Sequence, residues 1–253
     1  MLFDTHAHYD EEQFDSDRYE VIESLKDSGV SLVMNPASNM ASSFESVKLS
    51  EKYDFIYCAV GVHPHDSKEM KDDDFETLKS LTENKKVRAI GEIGLDYHYD
   101  FSPREIQRQR FYDQLCLARE LDLPVIIHER EACKDCLDIV SAFKDLKGVF
   151  HCYSGSWETA KIILNMGWYL SFTGVVTFKN GRNAPEVATK MPEDRLMIET
   201  DSPYMAPVPL RGSRNDSRNL RYICAKVAQL RGISEERAAE ITTTNGKNFF
   251  GIE

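Results

Sequence analysis

His6 and His8 in LFDTHAH, Glu92 in AIGEIGLD, His128 in PVIIHER, His151 in GVFHCYSG and Asp201 in LMIETDSP are imidazoles and carboxylates. These are the donor types that hold divalent cations in hydrolytic sites. Each stands at the end of a short apolar run, where a buried strand would emerge from a core. His6 and His8 are two apart, so on an extended strand they face the same way and can share one ion. Glu92 offers two oxygens and can bridge two cations, which a single imidazole cannot do. Asp201, followed by Ser202 and Pro203, can ligate a cation and also take a proton from an activated water. Singly, these residues have bland readings: two hydrogen-bonded strand histidines for His6 and His8, a surface glutamate for Glu92. Their joint appearance after five different apolar runs points to a two-metal hydrolase. Asp4 falls one layer deeper than His6 on the same face and is expected to orient an imidazole from behind. Glu199, below Asp201, is expected to support it in the same way.

The elements that must position these residues follow from the hydrophobic pattern. Runs of strand length occur at about 2–8, 31–37, 55–63, 87–95, 124–129, 148–154, 169–174 and 196–201. Most lack strict alternation, as parallel strands covered on both faces do. Amphipathic segments fill the gaps. Residues 15–28 place Tyr19, Ile22 and Leu25 on one side, and 103–122 align Ile106, Phe111, Leu115 and Ala118 behind Pro103. Segment 156–167 ends at a glycine, and 216–231 and 234–247 read as two closing helices, the second with Ser234 as its N-cap. Eight β-α units in unbroken alternation predict a single α/β domain over 1–253, a (β/α)8 TIM-type barrel, regular or slightly distorted. The rival, an open doubly wound sheet, needs a glycine-rich loop after the first strand, and DTHAHYDE contains no glycine. In such a barrel the chemistry sits at the C-terminal ends of the strands. Histidines 6, 8, 63, 65, 128 and 151 all fall at or just beyond those ends, and none lies in an expected helix.

Bulk properties narrow the function classes. A net charge of −11 is poor for a general nucleic-acid binder. Yet PLRGSRNDSRNLRY gathers Arg211, Arg214, Arg218 and Arg221, so an acidic protein can still have a basic mouth. Six cysteines are too sparse for a disulfide scaffold, and the lone Cys133–Cys136 pair is expected to be reduced and structural. No run approaches the ~18 apolar residues of a membrane span. Asp4, His6 and His8 near the start argue against a signal or transit peptide, so a cytoplasmic location is expected. No obligatory protein partner is evident.

Taken in order, DTHAHYD, GVHPHD, IGEIGLDY, VIIHER, HCYSG, ETDSPYMAP and RGSRN resemble the TatD-type metal-dependent deoxyribonucleases, a branch of the amidohydrolase-like barrel hydrolases. The resemblance runs from residue 4 to 215. It implies that His6, His8 and Asp201 hold one divalent ion and His128 and His151 a second, with Glu92 bridging; Mg, Mn and Zn are the candidates. It places His63 and His65 near the metals, with His63 the one to touch phosphate or water, and gives Arg211, Arg214 and Asn215 to the substrate. Ser213 and Ser217 depart from the family pattern, in which a basic residue and a proline often stand at those positions. The implied reaction is cleavage of DNA phosphodiesters, exonucleolytic on single-stranded ends. A shared water loses its proton to Asp201, and Glu92 takes part in catalysis. Tyr97, Tyr153, Tyr204 and Phe178 are candidates to stack a base. The rivals are a same-site hydrolase of a small ester, lactone, amide or phosphorylated metabolite, and a non-catalytic barrel that only binds.

Overall fold

The computed structural model describes residues 1–253. Eight strands form one sheet in the order of the chain: β1 (Leu2–Asp4), β2 (Val30–Pro36), β3 (Ile56–Val60), β4 (Val87–Asp96), β5 (Val125–Arg130), β6 (Gly148–Phe150), β7 (Tyr169–Phe172) and β8 (Leu196–Ile198). The last strand returns to the first. Thr5 N–H donates to Ile198 O at 3.4 Å, His8 N–H donates to Ser202 O at 2.7 Å, and Ala7 bridges Ser202 in parallel register. A parallel sheet whose end strands meet in this way is a (β/α)8 barrel, as the alternation of elements predicts. The strands are short and apolar because both faces are covered; β1, β6 and β8 are buried at every position.

Nine α-helices complete the chain: α1 (Arg18–Ser24), α2 (Met40–Lys52), α3 (Asp74–Leu81), α4 (Arg104–Glu120), α5 (Cys133–Val140), α6 (Trp157–Asn165), α7 (Asn183–Lys190), α8 (Leu220–Arg231) and α9 (Glu235–Phe250). None is long and apolar enough to cross a membrane. Two compact units emerge, one from residues 1–35 and 152–253, the other from 36–151. The first buries Phe3, Phe14, Ile22, Leu25, Trp168 and Phe172; the second buries Ile56, Leu78, Phe111 and Phe143. Each such side chain contributes about 1.5–3 kcal/mol of burial. In the first unit α9 presses on β1 at Gly246, where an added Cβ would lie 2.7 Å from the Phe3 ring and 3.0 Å from Thr5 Cγ2.

The expected helices are present with revised ends and faces. The segment 15–28 shortens to α1, which starts at Arg18 and gives way to a 3-10 turn over 26–28, and Tyr19 is 49% exposed while Val21 turns inward. In α4, Ile106 faces out at 38% exposure and Gln107 faces in. The reason is polar: Gln107 accepts from Asp96 N–H at 2.9 Å and donates to Asp96 O at 3.0 Å, tethering the helix to the end of β4. A hydrophobicity pattern cannot register that contact. Ser234 caps α9 by accepting from Arg237 N–H at 3.1 Å, and α8 begins at Leu220 because Asp216 caps a 3-10 turn over 217–219. None of the six cysteines is in a disulfide; Cys133 opens α5, and burial pushes the Cys136 thiol well above its usual range.

Candidate metal centre

The unit of residues 36–151 gathers its donors around one oxygen. Glu92 Oε1 lies 2.8 Å from His128 Nδ1, 2.8 Å from His151 Nε2 and 3.5 Å from His63 Nε2. Glu92 and His128 project from within β4 and β5, Glu92 mid-strand and not at the strand end, whereas His151 follows β6 directly and His63 stands three residues past β3. Gly94 permits this packing. It pairs with His128 in the parallel ladder at φ 145°, and a Cβ there would fall 2.0 Å from His128 O. Behind the cluster stands Asp96, fully buried, with Oδ2 3.1 Å from His128 Nε2 and 3.0 Å from His65 Nε2. Burial would raise the Asp96 pKa, but the bonds from His128, His65 and the Tyr99 backbone more than offset it and hold the carboxylate charged. Burial likewise opposes a charged His128, yet Asp96 and Glu92 hold its pKa above the ordinary value. For His63, burial and the neighbouring His128 win, and its pKa falls to about 3. A neutral, buried imidazole keeps a lone pair free for a cation.

The unit of residues 1–35 and 152–253 builds its cluster beyond the strand ends. β1 stops at Asp4 and β8 at Ile198, so His6, His8 and Asp201 all stand in the following loops. His6 Nε2 and His8 Nε2 are 3.0 Å apart, and Asp201 Oδ1 lies 3.8 and 3.7 Å from them. Backbone bonds continue past the strand ends, Asp201 N–H donating to His6 O at 2.9 Å, and side chains reinforce them. Asp4 accepts from Thr200 N–H at 2.9 Å, from Thr200 Oγ1 at 2.6 Å and from His6 N–H at 3.4 Å. It therefore fixes the His6 backbone and not, as expected, an imidazole. Burial lifts the Asp4 pKa to about 7 against the bonds from Ser217 and Thr200. Asp201 adopts φ 56°, a left-handed backbone that aspartate tolerates better than most residues. Asn215 clamps both sides of it, donating to Thr200 O at 2.9 Å and Tyr204 O at 2.7 Å.

Both donor sets suit a cation. A metal about 2.0–2.2 Å from each imidazole or carboxylate donor sets those donors roughly 3.0–3.6 Å apart. Separations of 2.8–3.5 Å around Glu92 and 3.0–3.8 Å around His6, His8 and Asp201 straddle that range.

Several residues depart from their expected parts. Arg214 grips Asp17 in two-pronged fashion at 2.7 and 2.5 Å and also donates to Gln13 O, so its charge is already spent. Asn215 is fully buried with its amide engaged as described, which gives it a structural task in place of a substrate contact. Arg211 remains exposed, 4.2 Å above the Phe178 ring, which it covers. His65 sits in a 3-10 turn (Pro64–Asp66) and bonds Asp96. Glu199 accepts from Cys152 N–H at 2.6 Å, anchoring the residue next to His151. Tyr153 is buried and donates to Ser156 O, whereas Tyr97 is half-buried, donates to Asp135 and has Arg104 4.3 Å over its ring. Ser217 meets Tyr9 OH at 2.7 Å and also bonds Asp4, which gives that departure from the family pattern a structural role. Reading the sequence alone missed Asp96, Tyr9 and Thr200. The signal for Asp96 was present, an acid at the end of the GEIGLD run, four residues beyond Glu92.

A family model described as TatD related DNase matches residues 3–251. The chain belongs to the TatD family. The metal-dependent hydrolase YabD of Bacillus subtilis (strain 168) is 43% identical over 254 residues, covering 100% of both chains. A protein of Citrobacter koseri called 3'-5' ssDNA/RNA exonuclease TatD is 34% identical, covering 99% of each chain. Among solved structures, the TatD homologue YJJV of Escherichia coli K12 superposes with a TM-score of 0.93 at 28% identity, covering 100% of this chain and 98% of its own. This TatD-family chain is a metal-dependent hydrolase.

Proposed function

We propose that this protein cleaves phosphodiester bonds of DNA, acting exonucleolytically on single-stranded ends. In this reading His6, His8 and Asp201 hold one divalent ion and His128 and His151 a second, with Glu92 taking the shared role the family pattern gives it. The observation that carries the reading is that each unit holds a donor cluster of carboxylate and imidazoles at cation-binding spacing. The nuclease names of relatives from Citrobacter koseri and Pantoea ananatis support the substrate. Bound divalent ions supply Lewis acidity, lowering the pKa of a water and polarising the phosphoryl oxygen. Asp201 accepts the proton of the attacking water as a phosphorus–oxygen bond forms and the ester bond to the leaving oxygen breaks. His63, neutral and buried, lies against Glu92 where a phosphate oxygen or water would approach. Residues 1–253 serve as one hydrolase domain, working in the cytoplasm without an obligatory protein partner.

A small phosphorylated or ester substrate at the same site is a second reading, favoured by the pairing of Arg214 with Asp17, which removes a cation from the mouth. The experiment measures bound metal, then follows 5'-labelled single-stranded DNA with Mg²⁺ or Mn²⁺, with and without chelator. Stepwise shortening that needs metal and is lost in Asp201→Asn is the expected result. Intact DNA under all metals, with turnover of a small ester instead, would replace the nuclease reading with the second.

A further inference from the structure

Tyr99 and Phe101 are large aromatic side chains left 47% and 56% exposed beside the donor cluster of β4 and β5. Exposure of two such rings in contact carries a hydrophobic cost, and the surroundings fix them in place. Their rings stack, 5.2 Å apart at 25°. Arg130 lies 4.7 Å over Tyr99, and His65 meets Phe101 edge-on at 4.8 Å and Tyr99 at 5.3 Å. The stack is also joined to the donors: His65 Nε2 bonds Asp96, and Asp96 bonds His128. Ring contacts of 4.8 Å (Phe101 to His65) and 6.3 Å (His65 to His128) span the interval, a reach that one nucleotide can bridge. Two cations flank the stack. Exposed Lys68 donates to Phe101 O at 3.0 Å and Arg130 stands at the opposite end, whereas Arg104 and His98 are balanced by Asp100 and Glu131. A planar apolar face between two cations, next to a phosphodiester-binding cluster, has the chemistry of a nucleotide: a π-face to stack and phosphates to neutralise.

We propose that the Phe101 ring, backed by Tyr99, is a stacking subsite for the nucleobase adjoining the scissile phosphodiester, with Lys68 and Arg130 neutralising the flanking phosphates. The inference rests on the nuclease reading above and extends it to which part of the strand is gripped. Recognition through a ring face is indifferent to base identity, so the subsite gives a preference for having a base without a preference for which base. A duplex end, whose bases are stacked on one another, must unstack to use it, which favours single strands.

The test compares two single-stranded oligonucleotides, one normal and one abasic at the terminal nucleotide, in metal-loaded wild type, Phe101→Ala and Phe101→Trp. The wild type is expected to prefer the normal strand in kcat/KM by roughly 5- to 100-fold, the range that base–aromatic stacking spans. Phe101→Ala is expected to abolish that preference through KM, and Phe101→Trp to retain it. Because Phe101 is exposed, the alanine variant should fold, which circular dichroism checks. A preference that survives in Phe101→Ala, or a wild type indifferent to the missing base while cleaving both strands, overturns the subsite and leaves the nuclease reading standing. A wild type that neither cleaves the strands nor binds them by fluorescence anisotropy overturns both.

Discussion

The two donor clusters reach similar chemistry by different structural means. Around Glu92, the backbone ladder does the positioning: β4 runs for ten residues, and its pairing with β5 continues through Gly94 and His128 to Asp96 and Arg130. Around Asp201, the strands are three residues each and end before the donors begin. There a few backbone bonds, His8 N–H to Ser202 O and Asp201 N–H to His6 O, are reinforced by side chains bonding backbone, with Asp4 on Thr200 and Asn215 on both flanks of Asp201. A ladder fixes direction cheaply, because its bonds are repeated along the strand. A loop held by single polar residues can adopt the left-handed φ of Asp201, at the cost of depending on each of them.

The sharpest test of that comparison removes the carboxylate from each cluster. Glu92→Gln and Asp201→Asn are both expected to lower kcat by roughly 10²–10⁴-fold, the range that a positioned acid–base group contributes. Glu92→Gln should also reduce bound metal by elemental analysis, since three imidazoles converge on that oxygen. Full metal occupancy in Glu92→Gln would show that its role is not ligation. Next in size, Asp96→Asn weakens the charge behind His128 and should lower metal affinity or activity by about 10–100-fold. Isothermal titration with Mn²⁺ reads this, and an unchanged affinity would make Asp96 a purely structural acid.

Gly94→Ala probes the ladder itself. The added Cβ meets His128 O and φ 145° is strained for alanine, so a loss of at least about 1–3 kcal/mol in chemical denaturation is expected. A variant as stable as wild type would mean that β4 can shift against β5. A smaller effect distinguishes the units by pH. Burial raises the Cys58 thiol to about 12 and the Cys224 thiol to about 11. Both are raised above the unfolded value near 9, so the stability of the neutral thiols is complete below pH 9 and is lost as pH climbs towards 11 and 12. Denaturation midpoints should fall over that window. Cys58→Ala should flatten the fall in the unit of residues 36–151, and Cys224→Ala in the other; equal slopes in all three proteins would count against the assignment. Smallest of all, Arg214→Ala breaks a partly exposed pair with Asp17 and should cost about 0–1 kcal/mol with little change in KM. Arg211→Ala, with its charge still exposed, should raise KM more; the reverse ranking would restore Arg214 as a substrate contact.

Much of this was legible beforehand for physical reasons. Alternating apolar runs and amphipathic segments specify eight β-α units, because burial of both strand faces leaves a hydrophobic signature that local sequence carries. Ser234 was legible as a cap because capping is a contact within one turn. The inward turn of Gln107 was not, since its partner is the backbone of Asp96, eleven residues away on another element. The surroundings of the expected stacking rings were not legible either: Tyr97 donates to Asp135 on another element and Tyr153 is buried, while Tyr99 and Phe101, unremarkable in the sequence, were left exposed as a pair.

By itself, then, the sequence determined the number and order of the strands and the donor types carried on or just beyond five of them. Both follow from composition and spacing along the chain, which are local quantities. Only the tertiary structure decided that Glu92 Oε1 is the point where His63, His128 and His151 converge, that Asp96 stands behind them, and that Arg214 and Asn215 serve the scaffold. Those assignments depend on which polar atoms meet across elements distant in sequence, and burial makes each such meeting obligatory once the chain has folded.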